Sequence, residues 1–422
     1  MSQFEHVRAP GWAEAEERVK GWLVGHWTAL MAFVLGGLAV GVRVAAIPFQ
    51  SWDYKDYFQH WFNLLVSSAG LTAFGGQASF SDYTPPYLYL LRLGSLLFPA
   101  QPLAVVKGIS FPFEALLAIG VYLLVGSRYP SSKWVPLAAA GWVLFSPTVL
   151  LDGAVWGQSD AIYTSLLVLC IYWVTCGRSV LAFVAFALAF AFKAQAAFLL
   201  PLLVVVYLRR RISVVVFAAI PLAYVALMLP AVLAGMRWST ALGSYLGQAT
   251  FYRKLAMNAP TLLALIPNQY YDVFVWVGLG WAAAAVLGIV TIAVVSGQSF
   301  SATHWLRLSL ALLLVVPYLT PGMHDRFFYP AEIVSAVYAF YVPRRFYLPI
   351  LITTISLLCY FPYLFNTEIV PIKLLSLIML IPLGITLYDY VTSMGCATSV
   401  RPPRDWYPTG RANGHTSLQS VS

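Results

Sequence analysis

Apolar runs recur from about residue 26 to residue 389, and many approach the roughly 20 residues that a helix needs to cross a bilayer. Hydrophobic residues make up 60% of the chain and charged residues 10%. A soluble domain is about half apolar and about a quarter charged. A water-soluble fold of this composition would leave apolar surface that it could not cover. The sequence therefore predicts an all-α polytopic membrane protein.

The net charge of +9 sits mostly in short loops between apolar runs, where Lys and Arg fix orientation. It is read as a topology signal, and no nucleic-acid partner is expected. The 14 Trp, 25 Tyr and 26 Phe fit interfacial belts and aromatic-lined cavities. Cys170, Cys176, Cys359 and Cys396 lack metal-ligand spacing and are expected to pack without a redox role. No metal site is expected. Residues 1–25, with Trp12, Val19, Trp22 and Leu23 on one stripe, read as a cytoplasmic amphipathic surface helix and not as a cleavable signal peptide. Residues 390–422, rich in Arg, Pro, Gly and Ser, read as a disordered cytoplasmic tail.

The intervening part, 26–389, is expected to form one transmembrane domain of about twelve spans. Basic residues before the first span place the N-terminus inside, so residues 48–102 become the first extracytoplasmic loop. Within it, Phe58, Trp61, Phe62 and Leu65 share a face at helical spacing. A second helix should start at Pro85, a favoured first-turn residue, and end near Phe98. At about 14 residues it is short for a crossing, so both helices are expected to lie juxtamembrane. That choice places Arg128, Arg178, Arg209–Arg211 and Arg344–Arg345 inside. The remaining spans are expected at 103–126, 134–151, 160–176, 180–191, 195–208, 212–233, 272–295, 305–320, 327–342, 346–365 and 370–389.

The same parity puts every mixed polar and aromatic island outside. These are Trp52 to Tyr57, Asp82 to Pro86, Trp156 to Asp160, Lys193 with Gln195, Tyr252 to Asn258, and His324 to Arg326. Charge near hydrocarbon costs about 2.5–3.5 kcal/mol on insertion scales. Lys193, Arg253, Lys254 and Arg326 are on the wrong side for topology anchors, so an anion should offset them, and a phosphate at the membrane surface fits. Local readings stay open for several positions. Asp53 and Asp82 also fit helix N-caps, Asp56 a solvated first-turn acid, Gln158 and Asp160 span termini, Lys193 a structural ion pair, and His324 an interfacial imidazole.

Read together, these residues suit transfer of a phosphate-activated group. Asp53 would accept a proton from an acceptor hydroxyl. Lys193, Arg253, Lys254, His324 and Arg326, with Gln195 and Tyr252 nearby, would meet the departing phosphate. Trp52, Tyr54, Tyr83, Trp156 and Tyr163 can stack on sugar faces, with Asp56, Asp82, Gln158, Asp160 and Asn258 as further polar contacts.

Asp53-Tyr54 followed by His60-Trp61, Asp82-Tyr83-Thr84-Pro85-Pro86-Tyr87, Lys193-Ala194-Gln195 and His324-Asp325-Arg326 resemble motifs of GT-C fold membrane glycosyltransferases. The likeness is to endoplasmic-reticulum glucosyltransferases that extend the N-glycan precursor. Trp156-Gly157-Gln158-Ser159-Asp160 is more similar to bacterial proteins grouped with the second mannosyltransferase of GPI-anchor assembly. The resemblance covers residues 26–345. It implies a GT-C fold and a monomeric, inverting glycosyltransferase with Asp53 as base. Its donor would be a polyprenyl-phosphate sugar, with no other cofactor and no metal. The acceptor would be a lipid-linked or cell-envelope glycan at the outer face of a bacterial inner membrane. It also implies that the last two spans are peripheral. Ala194 within the Lys-Gln motif and Asp325 in place of Glu depart from the family pattern. A flippase of lipid-linked saccharides and a polymerase using a lipid-diphosphate donor are the competing classes. A flippase would need interior ionisable groups and internal repeats, and a polymerase a long outer loop late in the chain.

Overall fold

The computed structural model describes residues 10–68, 74, 81, 83–251 and 253–395. The described chain is almost wholly helical, and its strands are two dipeptides. The helices are α1 (Pro10–Ala46), α2 (Gln59–Ser67), α3 (Pro85–Leu97), α4 (Pro102–Gly108), α5 (Ser110–Arg128), α6 (Trp134–Leu144), α7 (Pro147–Leu150), α8 (Asp160–Thr175) and α9 (Ser179–Phe192). They continue as α10 (Leu200–Arg210), α11 (Ala219–Leu233), α12 (Trp238–Phe251), α13 (Tyr271–Val295), α14 (Ala302–Leu319), α15 (Tyr329–Tyr341), α16 (Tyr347–Phe365) and α17 (Ile372–Ser393).

Helix forms at each of the expected apolar stretches. Among the described residues, seven helical stretches are long and apolar enough to cross a membrane: Gly25–Ala46, Pro102–Arg128, Val214–Leu233, Asn268–Val295, Ala302–Leu319, Pro343–Phe365 and Ile372–Ser393. An eighth is available if Trp134–Leu144 and Pro147–Trp156, bent by 48°, count as one. The chain is an all-α multi-pass membrane protein. Helices α8, α9 and α15 are shorter, because polar residues interrupt their apolar runs at Lys193 and Asp160 and the basic pair Arg344–Arg345 follows α15.

Helix α1 runs without a break across residue 25, so the helical N-terminal segment and the first span are one helix. One boundary differs from expectation. Helix α17 continues past residue 389 to Ser393, and Tyr390 is buried with its hydroxyl donating to the Ile289 carbonyl at 2.6 Å. Cys396 lies outside the described residues.

The connection after α1 carries α2 and α3. Phe58, Trp61, Phe62 and Leu65 are all buried against Tyr87, Leu88 and Leu91. Arg92 donates to the carbonyls of Leu65 and Ser68, closing the end of α2. Helix α3 has 13 residues and thus about 20 Å of length, short of the roughly 30 Å hydrocarbon layer.

Buried charges tie the bundle together. Arg43 on α1 pairs with Glu114 on α5 and donates to the Leu144 carbonyl of α6 at 3.0 Å. Lys107 donates to the carbonyls of Ala46, Ile47 and Phe49 at the end of α1, where a cation meets the helix dipole favourably. At the other end of α5, Ser127 meets the Tyr341 hydroxyl at 2.9 Å and Tyr129 donates to Phe340. Arg210 reaches the Val174 carbonyl at the end of α8, and Arg345 pairs with Asp389. The Arg-bearing loops after α5, α8, α10 and α15 thus gather at one end of the bundle. The starts of α5, α8 and α15 and the end of α16 lie at the opposite end.

Between α7 and α8 the chain takes a π-helical turn, Leu151–Trp156, ended by Gly157 at φ 86°. Gly153 in this turn lies against α5: a Cβ there would collide with the Glu114 carboxylate and come within 3.1 Å of the Ser110 hydroxyl. Gly153→Ala should therefore lower stability by about 1–3 kcal/mol, the usual range for overpacking, visible as a reduced melting temperature of the detergent-purified protein. An unchanged melting temperature would show that α5 yields at no cost.

Candidate functional site

The site is built where the connection after α1 meets the π-helical turn after α7. Asp53 starts a second π-helical turn, Tyr54–Phe58, and its side chain makes no capping bond, which removes the N-cap reading. Its carboxylate turns to three donors instead. Trp156 Nε1 donates to Oδ2 at 2.8 Å, Gln158 Nε2 donates to the same oxygen, and the Tyr363 hydroxyl donates to Oδ1. These donors orient a half-buried carboxylate. Both π turns of the described chain flank this contact, and such turns are frequent at functional sites. Ser51 locks the two segments together, donating to the Trp156 carbonyl at 2.7 Å.

A second cluster lies beside the first. Asp160, fully buried at the start of α8, takes Lys193 Nζ at 2.7 Å and Arg326 Nε at 3.2 Å. One carboxylate thus faces two cations, and a second acid, Asp325, lies 3.9 Å from Arg326. Thr84 places Lys193: its hydroxyl donates to the carbonyls of Ala191 and Phe192, closing α9 just before the lysine. Aromatic faces surround both cations. Lys193 lies 5.5 Å from the Tyr163 ring centroid and 6.0 Å from that of Tyr83. Arg326 lies 5.2 Å from that of Trp156, within cation–π range.

Two contact routes join the clusters. Tyr83 donates to Gln158 Oε1 at 2.7 Å, and the amide of Gln158 reaches Asp53. Trp156 bonds Asp53 on its edge and stacks under Arg326 on its face. Asp53, Tyr83, Trp156, Gln158, Asp160, Lys193 and Arg326 are therefore one constellation.

Other expected residues fall elsewhere. Trp52 is 59% exposed, with Lys55 over its ring. Asp56 is exposed, and Tyr54 is packed into the apolar cluster of α2 and α3. Arg253 pairs with Asp272 at an exposed position, and Lys254 is exposed. Asn258 takes a left-handed φ of 53° and pairs through its backbone with His324. This bridge extends the parallel pairing of β1 (Ala256–Met257) with β2 (Met323–His324). Gln195 follows Lys193 in a 3₁₀ turn, and its Oε1 has no hydrogen-bond partner. Asp82 and Tyr252 lie outside the described residues.

Electrostatics corrects one assignment. Burial holds the His324 imidazole well below its ordinary range, and Arg326, Lys193 and Lys254 push it the same way. At neutral pH it offers a neutral ring, not the expected cation. Burial also pulls Lys193 down, against the opposing pull of Asp160, and pushes the Tyr83 hydroxyl up.

Sequence reasoning missed Tyr363. It sits near the end of α16, one of the spans expected to be peripheral, and stacks on Trp156 with centroids 5.0 Å apart. The last two spans are thus part of the site and of the core: Tyr318 of α14 bonds the Ser376 carbonyl of α17 at 3.1 Å. Tyr363 carries no charge and lies in a long apolar run, so only its place near a span end could have marked it.

A comparison with models of known protein families finds no match, and a search of curated proteins finds none either.

Burial pushes Asp325 up to about 7, opposed by the neighbouring Arg326. Its folded value is above the unfolded one, so its favourable contribution is present below the ordinary carboxylate range and is lost as pH rises through about 7. The wild type should lose melting temperature between pH 5 and pH 8 relative to Asp325→Asn. Parallel pH profiles for the two proteins would count against a neutral Asp325 at low pH.

Proposed function

We propose that this chain is a multi-pass membrane glycosyltransferase with a GT-C fold and about twelve membrane-embedded helices. It moves a hexose from a polyprenyl-phosphate donor to a hydroxyl of a lipid-linked or cell-envelope glycan, with inversion. The observation that carries this reading is a half-exposed carboxylate held by three donors beside a buried cluster in which Lys193 and Arg326 meet Asp160 and Asp325.

The chemistry follows from that arrangement. Asp53 accepts the proton of the acceptor hydroxyl as its oxygen attacks the anomeric carbon. The bond from that carbon to the phosphate oxygen breaks, and negative charge grows on the leaving phosphate. Lys193 and Arg326 offset it, with Asp160 holding both in place. Arg253 and Lys254 are left to attract the anionic headgroup from outside the constellation. Tyr83 and Trp156 supply ring faces for the sugar.

The Arg-bearing loops lie at one end of the bundle and Asp53 at the other, which under the positive-inside tendency supports an extracytoplasmic site. In a bacterium this is the outer face of the inner membrane. Carboxylates buried below the site also suit an ion-coupled flippase. Movement of lipid-linked saccharide across vesicles without covalent transfer favours that second reading.

Asp53→Asn should fold and insert as the wild type does while transfer from polyprenyl-phosphate hexoses falls by about 10²–10⁴-fold, the usual contribution of a general base. Transfer at the wild-type rate would end the assignment. Tyr363→Phe removes one donor to Asp53 and should cost about tenfold or more, as expected for a hydrogen bond to a charged group.

A further inference from the structure

Below the site, three helices present polar groups to one interior region. Thr148 and Asp152 are four residues apart on the helical run 147–156, so they share a face. Tyr329 and Glu332 do the same on α15, and Ser356 and Tyr360 on α16. Contacts join the rows. Thr148 donates to Glu332, and the Tyr360 ring packs edge-on to Trp156 at 5.4 Å.

This region is buried, and several of its polar atoms have no hydrogen-bond partner among the described residues. Asp152 and Glu332 are 0% and 2% exposed. Neither oxygen of Asp152 has a hydrogen-bond partner, nor does Oε1 of Glu332. The hydroxyls of Tyr329 and Tyr360 are also buried without a partner among the described residues, and the Ser356 hydroxyl lies beside Glu332. Among the described residues, no cationic side chain forms an ion pair with either acid. The nearby cations are engaged: Arg43 with Glu114, and Lys193 and Arg326 with Asp160.

Ionised, both acids would sit uncompensated in the membrane interior, which is costly. Among the described residues neither has a direct ion pair, and the cations that act on Asp152 from a distance are already paired with Asp160. A metal ion would need several converging ligands, and no group of three or more His, Cys, Asp or Glu side chains converges among the described residues. A proton on each carboxyl needs none. The acid O–H can donate to a neighbouring hydroxyl, while the phenols donate to the carbonyl oxygens, directly or through buried water.

We infer that Asp152 and Glu332 are an interior proton-binding pair, held as neutral carboxylic acids beneath the site. The role follows from charge. Asp152 interacts electrostatically with Asp160, Lys193 and Arg326. Lys193 and Arg326 already face Asp160, and Asp325 lies 3.9 Å from Arg326. While Asp152 is protonated it adds no further negative charge against an anionic ligand; ionised, it would add one. Asp152 thus tunes the charge of the site above it, through the turn that also carries Trp156 and Gln158.

Infrared spectra of the purified protein in H₂O and D₂O, from pH 6 to pH 9, test this. The wild type should show isotope-sensitive carbonyl bands of protonated carboxyls across the range. Asp152→Asn and Glu332→Gln should each remove part of that intensity. Both are neutral isosteres and should leave the melting temperature unchanged, whereas Asp160→Asn should lower it sharply. Bands untouched by both substitutions would overturn the proposal. So would a marked loss of stability, or failure to fold, in both isosteres, because ionised acids lose a charge on that change and neutral ones do not. A sodium-specific rise in melting temperature, absent in Asp152→Asn, would assign the pair to a metal cation and overturn it equally.

Discussion

One buried carboxylate, Asp160, holds three separate parts of the chain in register. It takes Lys193 from the break after α9 and Arg326 from the turn before α15. Neither cation could stay in an apolar bundle alone, and Asp160 could not stay at the start of α8 without them. Pairing in a low dielectric is strong only when geometry is fixed. Here that geometry comes from Thr84 at the end of α9 and from ring faces packed around both cations. The ion cluster is therefore a fastening between the start of α8, the break after α9 and the turn before α15, with Asp325 a further acid 3.9 Å from Arg326.

The turn from Leu151 to Asp160 joins this cluster to Asp53. A regular helix through residues 147–160 would not bring Trp156, Gln158 and Asp160 to the same mouth. The π turn and the left-handed Gly157 break the periodicity, so these side chains converge although they are spaced two apart. Gly153 lets α5 approach closely enough for Ser110 to donate to the Gln158 carbonyl at 3.2 Å. Each irregularity would cost stability in a structural helix. Their concentration beside the half-exposed Asp53 carboxylate is better understood as positioning.

Much of this was legible in the sequence. Helices form at each apolar run, and the two loop helices lie within a residue or two of where Pro85 and the Phe58-to-Leu65 face put them. The islands around Asp53, Trp156, Lys193 and Arg326 do assemble at one end of the bundle, because each interrupts an apolar run at a span end and so has nowhere else to go. What the sequence could not supply was partner choice. Lys193 and Asp160 were read as separate features, and 33 residues separate the pair. Arg253 and Arg326 have similar local surroundings, yet one pairs with Asp272 at the surface and the other is buried. His324 carries no local sign that burial and three neighbouring cations hold it neutral. Tyr363 was invisible for the opposite reason, since an uncharged aromatic in an apolar helix looks like lipid-facing packing.

Charge is distributed differently at the two ends of the bundle. At the Arg-bearing end, Arg209 donates to Ala293 and Ser296, and Arg345 grips both oxygens of Asp389. Those contacts close helix ends, and Arg128, Arg178, Arg211 and Arg344 stay exposed. The other end carries buried acids as well as cations. Asp53 is held by neutral donors alone, Trp156, Gln158 and Tyr363, so its charge is oriented without a direct ion pair. Lys193 and Arg326 pair with Asp160, and Asp325 lies 3.9 Å from Arg326. The transfer proposed above would use the two groups side by side, with Trp156 and Gln158 orienting the carboxylate beside the cations.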